Sequence, residues 1–394
     1  MSLHWIFDFP TRIDFGAGRF RKLADTVLPL GRNVMLLGYA NRTGLEQAYV
    51  EATDVLLKAK LTVVEFLQVR AEPDDELIFE AVRAAREEGV DVIVALGGGS
   101  VIDAAKAVAG LVGGGGSLWE HTLANRRARP ITQALPVVAV PTTAGTGSEV
   151  TPMAVITQRG IGSMPESPTK AAIFGPAIFP KVALVDPALS ANCPSHVTAA
   201  CGLDALAHGI EACLSRRANP IATALAQQSV KRIVAHLPRA VADPRDVEPR
   251  EPLALAATLA GIAMGAAGGT VSHCIAHALG GLLHVPHGEA VAIATPPNLR
   301  YNASECSPIY AELARACGLS DRSQSKLADA FVERIIELIG EVNLPDRVSV
   351  PHESPELLAR RLAQNVVDGT PSPLQNNPRK VDREALEELI LQVL

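Results

Sequence analysis

The stretch Asp91–Gly110, DVIVALGGGSVIDAAKAVAG, decides how the chain is read. An apolar run of strand length ends at Leu96, Gly97, Gly98 and Gly99 follow at once, and Ser100 opens an Ala-rich helical pattern. Strand, glycine turn and helix in that order leave helix N–H groups and bare backbone where phosphate oxygens approach closely. A pyrophosphate fits such a turn, although a plain strand-to-helix connection has the same appearance. The spacing is not the G-x-G-x-x-G of the ordinary dinucleotide fingerprint.

Outward from this turn the first half alternates strand-length apolar runs with helical patterns. The runs are Val34–Leu37, Leu61–Leu67, Asp91–Leu96, Pro136–Val140 and Val182–Val185. Between the second and third, Asp75–Gly89 has an acidic start, helical spacing and a terminal glycine. Repeated strand and helix imply a parallel sheet with right-handed crossovers. PTTAGTGSEVT, Pro141–Thr151, follows another strand and offers Thr142, Thr143, Thr146 and Ser148 as hydroxyl donors. Small hydroxylated residues at a strand's carboxyl end suit a ligand, and equally an ordinary loop. Gly113–Gly116, which follows a helix, reads as a flexible loop.

After Asp186 nearly every segment reads as helix, so the expected architecture is an α/β dinucleotide-binding domain with a parallel sheet, residues 1–189, followed by an all-α domain, residues 190–394. A length of 394 residues also points to more than one core. Hydrophobic residues at 48% with charged residues at 20% exclude disorder, and aromatics at 4% leave the interior to Ala, Val, Leu and Ile. A net charge of -6 without a basic run argues against nucleic-acid or anionic-membrane partners. Leu253–Val271 is uncharged and long enough to cross a bilayer, but its Ala and Gly content and missing aromatic anchors predict a buried central helix. Six cysteines without CxxC pairing, and a start lacking a secretory pattern, predict reduced thiols and a cytoplasmic protein.

The second half carries two sets of side chains with metal-ligand spacing. In CGLDALAHGIEA, Asp204 and His208 are four residues apart and share one helix face. In SHCIAHALGGLLHVPHGEA, His273 and His277 repeat the interval, and His284 and His287 follow a Gly-Gly break. One carboxylate with several imidazoles suits Fe²⁺ or Zn²⁺. Either pair alone reads equally as buried or capping groups; the combination is what points to a metal. His4, His121, His196, His236 and His352 are scattered and read as ordinary histidines.

With these residues assembled the chain resembles the iron-containing (group III) alcohol dehydrogenase family, related in fold to glycerol dehydrogenase and dehydroquinate synthase. The likeness runs in fixed order through FPTRIDFGAG, GGGSVIDAAKA, PTTAGTGSEVT, VALVDP, GLDALAHGIEA, HCIAHALGGLLHVPHGEA and NPR at Asn377–Arg379. It implies a homodimeric oxidoreductase that moves a hydride between NAD or NADP and a small alcohol, aldehyde or keto acid held on a divalent metal, Fe²⁺ before Zn²⁺. It implies Asp204, His208, His273 and His287 as ligands and His277 as a non-ligand histidine beside the substrate, relaying its proton. The Gly97–Gly99 turn with Ser100 would meet the pyrophosphate, with Asp103 nearby; Thr142, Thr143, Thr146 and Ser148 would line the nicotinamide and ribose side, and Lys170 matches a family lysine close to the cofactor. Maleylacetate reductases are relatives that often lack a full ligand set, so Asp204 favours a metal enzyme. A dehydroquinate synthase-type lyase would need basic residues near the metal, and His273–His287 contains none. The chain departs from the family at Gly38 and Tyr39, where NAD-preferring members carry an acid; with Arg42 close behind, NADP becomes a candidate. Gln158–Thr169 is longer than usual and is expected to form a flap.

Overall fold

Short β-branched runs flanked by amphipathic helices build the first unit, Pro10–Cys193. The computed structural model describes residues 5–122, 127–158, 169–349 and 354–394. Its strands are β1 (Arg12–Phe15), β2 (Asn33–Tyr39), β3 (Thr62–Val69), β4 (Val92–Gly97), β5 (Val137–Pro141), β6 (Met153–Gln158), β7 (Thr169–Phe174) and β8 (Val182–Val185). Interspersed are α1 (Leu23–Val27), α2 (Glu46–Lys58), α3 (Asp75–Glu87) and α4 (Gly99–Gly114). Six strands pair in parallel in the order β1-β8-β5-β4-β2-β3. All six residues of β4 are buried, as a strand covered on both faces requires. Its Ile93 and Ala95 join Met35 and Leu37 under α3 and α4, whereas Val92, Val94 and Leu96 join Val34 and Leu36 under α1 and α2.

All five apolar runs form strands. The reading passed over β1, only four residues long, and the antiparallel pair β6 and β7, whose Ala154, Ile156 and Ile173 pack into the α3/α4 cluster. Asp74 caps α3 by accepting from the Leu77 N–H at 3.0 Å, and Gly89 follows at a φ of 62°. Gly113 and Gly114 close α4 rather than beginning a loop. The expected flap falls on residues 159–168, outside the described residues, as do His4 and His352.

The second unit, Pro194–Leu394 with residues 5–9, is helical. The expected boundary at residue 189 falls in the short turn Pro187–Ser190, just before the division at Cys193. Its helices are α5 (Ser195–Leu214), α6 (Pro220–Ala242), α7 (Arg250–Ala267), α8 (Val271–Leu283), α9 (His287–Ala316), α10 (Gln324–Glu341), α11 (Pro355–Gly369), α12 (Pro371–Asn376) and α13 (Arg383–Leu391). Leu253–Val271 is mostly buried but is not one helix: the chain turns by 102° between α7 and α8. α9 runs on through Pro296 and Pro297, carried by its buried face.

Candidate functional site

α5 presents Asp204 and His208 one turn apart, α8 presents His273 in its first turn, and α9 opens on His287. The Asp204 Oδ1 lies 3.3 Å from His273 Nε2, 3.5 Å from His287 Nε2 and 3.7 Å from His208 Nε2. Donors about 2.1 Å from a tetrahedral cation stand about 3.4 Å from one another. Asp204, His208 and His273 form the tight core, with ligand atoms all within 4.8 Å of one another, and all three are buried. The His287 side chain is 30% exposed and makes the wet side of the cluster.

The His208 and His273 rings stack at 4.5 Å, 13° from parallel, so both aim Nε2 at one oxygen that cannot satisfy three imidazoles. His208 Nδ1 is buried without a hydrogen-bond partner among the described residues. Burial would raise the Asp204 carboxyl, but His208 and His287 hold it well below the usual carboxylate range. Burial depresses His208 to about 4 against the pull of Asp204. His273 goes the other way: burial opposes its charge, yet Glu211 and Asp204 raise it to about 10. The residues therefore fit a divalent cation, which would replace the proton on His273 Nε2 and lie among donors already gathered.

Glu211 went unread in the sequence. It accepts from His273 Nδ1 at 3.0 Å and from the Thr270 N–H at 2.5 Å, fixing the tautomer that leaves Nε2 as donor to a cation. The signal was present: Asp204, His208 and Glu211 fall at i, i+4 and i+7 on one face of α5. His277 stands beside the cluster, its ring 6.4 Å from His273 and 5.4 Å from His287. His284 is the left-handed residue that ends α8.

In the α/β unit the strand order reverses between β2 and β4, and ligands of open parallel sheets lie outside the carboxyl ends at such a point. Tyr39 and Gly97 end those two strands. Gly98 caps α4 without a side-chain hydrogen bond, and no acid occupies the first turn. The glycines are also required by close approach: a Cβ on Gly99 would stand 2.6 Å from Thr146 Cγ2, and one on Gly98 3.1 Å from Thr143 Oγ1. Thr142 donates its N–H to the Gly97 carbonyl at 3.0 Å, so the threonine loop and the glycine turn form one surface. Ser100 Oγ accepts from the Glu72 N–H at 3.3 Å, and Lys170 pairs with the Glu72 carboxylate at 2.5 Å.

Two candidates look inward. Ser148 donates its hydroxyl proton to Asp103 and accepts from Lys106 at 2.6 Å, while Asp103 also accepts from the Val155 N–H at 2.9 Å. Lys106, unread in the sequence, is fully buried in α4, its ammonium reaching Thr151 and the Met153 carbonyl as well. Burial lowers its pKa against the opposing Asp103 and Glu149. Gly38 is explained by packing, since a Cβ there would stand 2.3 Å from the ring of Tyr49. Tyr39, not Gly38, is the residue beside the glycine turn, its hydroxyl 2.9 Å from the position a Gly98 Cβ would take.

Residues 10–187 match the iron-containing alcohol dehydrogenase family, and residues 198–394 match the C-terminal region of the Fe-containing alcohol dehydrogenase family. An NAD-dependent methanol dehydrogenase of Bacillus methanolicus is 31% identical, with 98% of this chain and 99% of the relative covered. A 1,3-propanediol dehydrogenase of Klebsiella pneumoniae is 33% identical over 81% of each. Among solved structures, an archaeal halo-thermophilic alcohol dehydrogenase from a Red Sea brine pool gives a TM-score of 0.91 at 29% identity, over 100% of both chains.

Proposed function

The chain belongs to the iron-containing alcohol dehydrogenase family, and from that premise we propose that it interconverts a small alcohol and its carbonyl with a nicotinamide dinucleotide and Fe²⁺ held by Asp204, His208, His273 and His287. The observation that carries the reading is the convergence of three imidazoles on one buried carboxylate oxygen. A cation held by Asp204, His208, His273 and His287 would supply Lewis acidity to the substrate oxygen, and a bound nicotinamide would supply the hydride chemistry. Glu211 holds His273 in the competent tautomer, and burial keeps His208 neutral. His277, beside the partly exposed His287, is placed to pass the alcohol proton to water.

The Gly97–Gly99 turn with Ser100 receives the pyrophosphate on this reading, Thr142, Thr143 and Thr146 line the neighbouring surface, and Lys170 offers a cation close by. Ser148 and Asp103 brace that surface from within. No acid lies between Asn33 and Leu45, so a 2′-phosphate meets no carboxylate of this segment, and the enzyme uses NADPH as well as NADH. The intact donor set and relatives named for alcohols favour an alcohol dehydrogenase over a maleylacetate reductase. The six free thiols support a cytoplasmic setting, and the family supports a homodimer.

Chelation followed by single-metal reconstitution tests the cation: activity on short aldehydes should vanish and return with Fe²⁺. Undiminished turnover in metal-free protein would contradict the reading. His277→Ala should lower kcat and shift its pH profile, and an unchanged profile rejects the relay.

A further inference from the structure

The NPR segment at Asn377–Arg379 plays no part in the chemistry above, yet it ends a buried polar chain that leads to the cation cluster. Asn377 Nδ2 donates to Asn302 Oδ1 at 2.8 Å, and Asn302 Nδ2 returns a hydrogen bond to Asn377 Oδ1 at 3.1 Å. Asn302 Nδ2 also donates to Asn298 Oδ1 at 2.8 Å, one turn back on α9. Asn298 Nδ2 then donates to Ser272 Oγ at 2.6 Å, on α8. Each of these four residues is at most 2% exposed.

Ser272 immediately precedes His273, and α9, which carries Asn298 and Asn302, opens on His287. The chain therefore ties together the two helices that each deliver one imidazole, and anchors both to the C-terminal segment. The anchor is itself held: Asn377 Nδ2 reaches the Arg379 carbonyl at 2.7 Å, Arg379 Nη1 reaches the Tyr301 carbonyl at 2.9 Å, and the guanidinium lies 4.0 Å over the Tyr301 ring. Asn376 Nδ2 adds a hydrogen bond to the Gly269 carbonyl in the α7–α8 turn, at 3.4 Å. Asn302 and Asn377, buried amides with both donors spent, admit one arrangement, because any slip of α9 along α8 strands a polar group away from water.

We infer that Asn377, Asn302, Asn298 and Ser272 are positioning residues for the cation cluster, setting His273 and His287 at the separation a divalent ion requires. The inference rests on the cation reading above. A ligand cluster gathered from three helices needs such outer support, since misplacing a donor weakens binding without removing it.

The test is a double-mutant cycle read by Zn²⁺ affinity, measured on the full chain by competition with a fluorescent chelator. Asn377→Ala and Ser272→Ala sit at opposite ends of the chain. Each should weaken Zn²⁺ binding about tenfold while NADH binding stays unchanged. The double variant should be no weaker than the worse single, because the first substitution already breaks the connection. Asn298→Leu replaces Asn377→Ala in the cycle if the latter does not fold. A purely stabilising role would lower the melting temperature and leave Zn²⁺ affinity within twofold in both singles, which overturns the inference; so does a double variant about a hundredfold weaker, as independent effects would give. Failure of the unmodified protein to bind one Zn²⁺ per chain would instead overturn the cation reading beneath it.

Discussion

The cation cluster and the glycine turn solve opposite problems. The cluster concentrates charge: two carboxylates and three imidazoles from α5, α8 and α9 meet, all but His287 buried. The turn withholds side chains: Gly98 and Gly99 accept the threonine loop against their backbone and leave the start of α4 without a side-chain cap. Substitution therefore acts differently in the two places. In the cluster, removing one atom strands charged partners in a dry environment; at the turn, adding one atom is what does damage.

The largest effect that could break this contrast is at Asp204. Asp204→Asn removes the charge that all three imidazoles share, and it should abolish stoichiometric metal binding and lower kcat/KM by about a thousandfold or more. Retained metal, seen by elemental analysis of the purified variant, would show that the imidazoles suffice. Next comes Glu211→Gln, which keeps the shape but weakens the hold on His273, and should cost about ten- to a hundredfold in metal affinity with little change in NADH binding.

The same pair governs pH dependence. In the metal-free protein His273 is raised to about 10 and so carries a proton through the neutral range, whereas His208, lowered to about 4, carries none. A cation must displace the His273 proton, so affinity should fall about tenfold for each unit that pH drops between 8 and 6. A titration series with a flat affinity over that range would mean His273 is already neutral. Glu211→Gln should flatten the slope, because the carboxylate that raises His273 is gone.

In the α/β unit the effects leave the metal cluster untouched. Lys106→Met leaves Asp103 without its buried ammonium partner and should cost about 3 kcal/mol in urea unfolding while metal affinity holds. Smallest is Arg42→Ala, which should lower kcat/KM for NADPH about tenfold and leave NADH unchanged, the worth of one charge-assisted contact to a 2′-phosphate. Equal loss with both cofactors would remove Arg42 from phosphate recognition.

What the sequence disclosed follows the same division. The parallel strands were legible because a strand buried on both faces has to be apolar throughout, as Val92–Leu96 is. Asp204 with His208, and His273 ahead of His287, were legible because imidazoles crowded on apolar helices have few uses. Glu211 and Lys106 were missed for a shared physical reason: a single charge in a helix normally faces water, and only the fold shows that these two lie at 2% and 0% exposure. The break between α7 and α8 was hidden because Ala- and Gly-rich sequence continues across it. Gly38 was read for what it lacked, an acid, when its neighbour Tyr49 leaves no room for any side chain.

Asp204, His208, His273 and His287 are proposed to share one divalent ion. Diffraction recorded across the iron absorption edge from crystals of Fe²⁺-loaded protein tests it most directly. The expected result is one anomalous peak per chain, about 2.0–2.3 Å from the Asp204 oxygen and from each of the three Nε2 atoms. A peak at another site, or one that any of these four residues does not reach, would contradict the account.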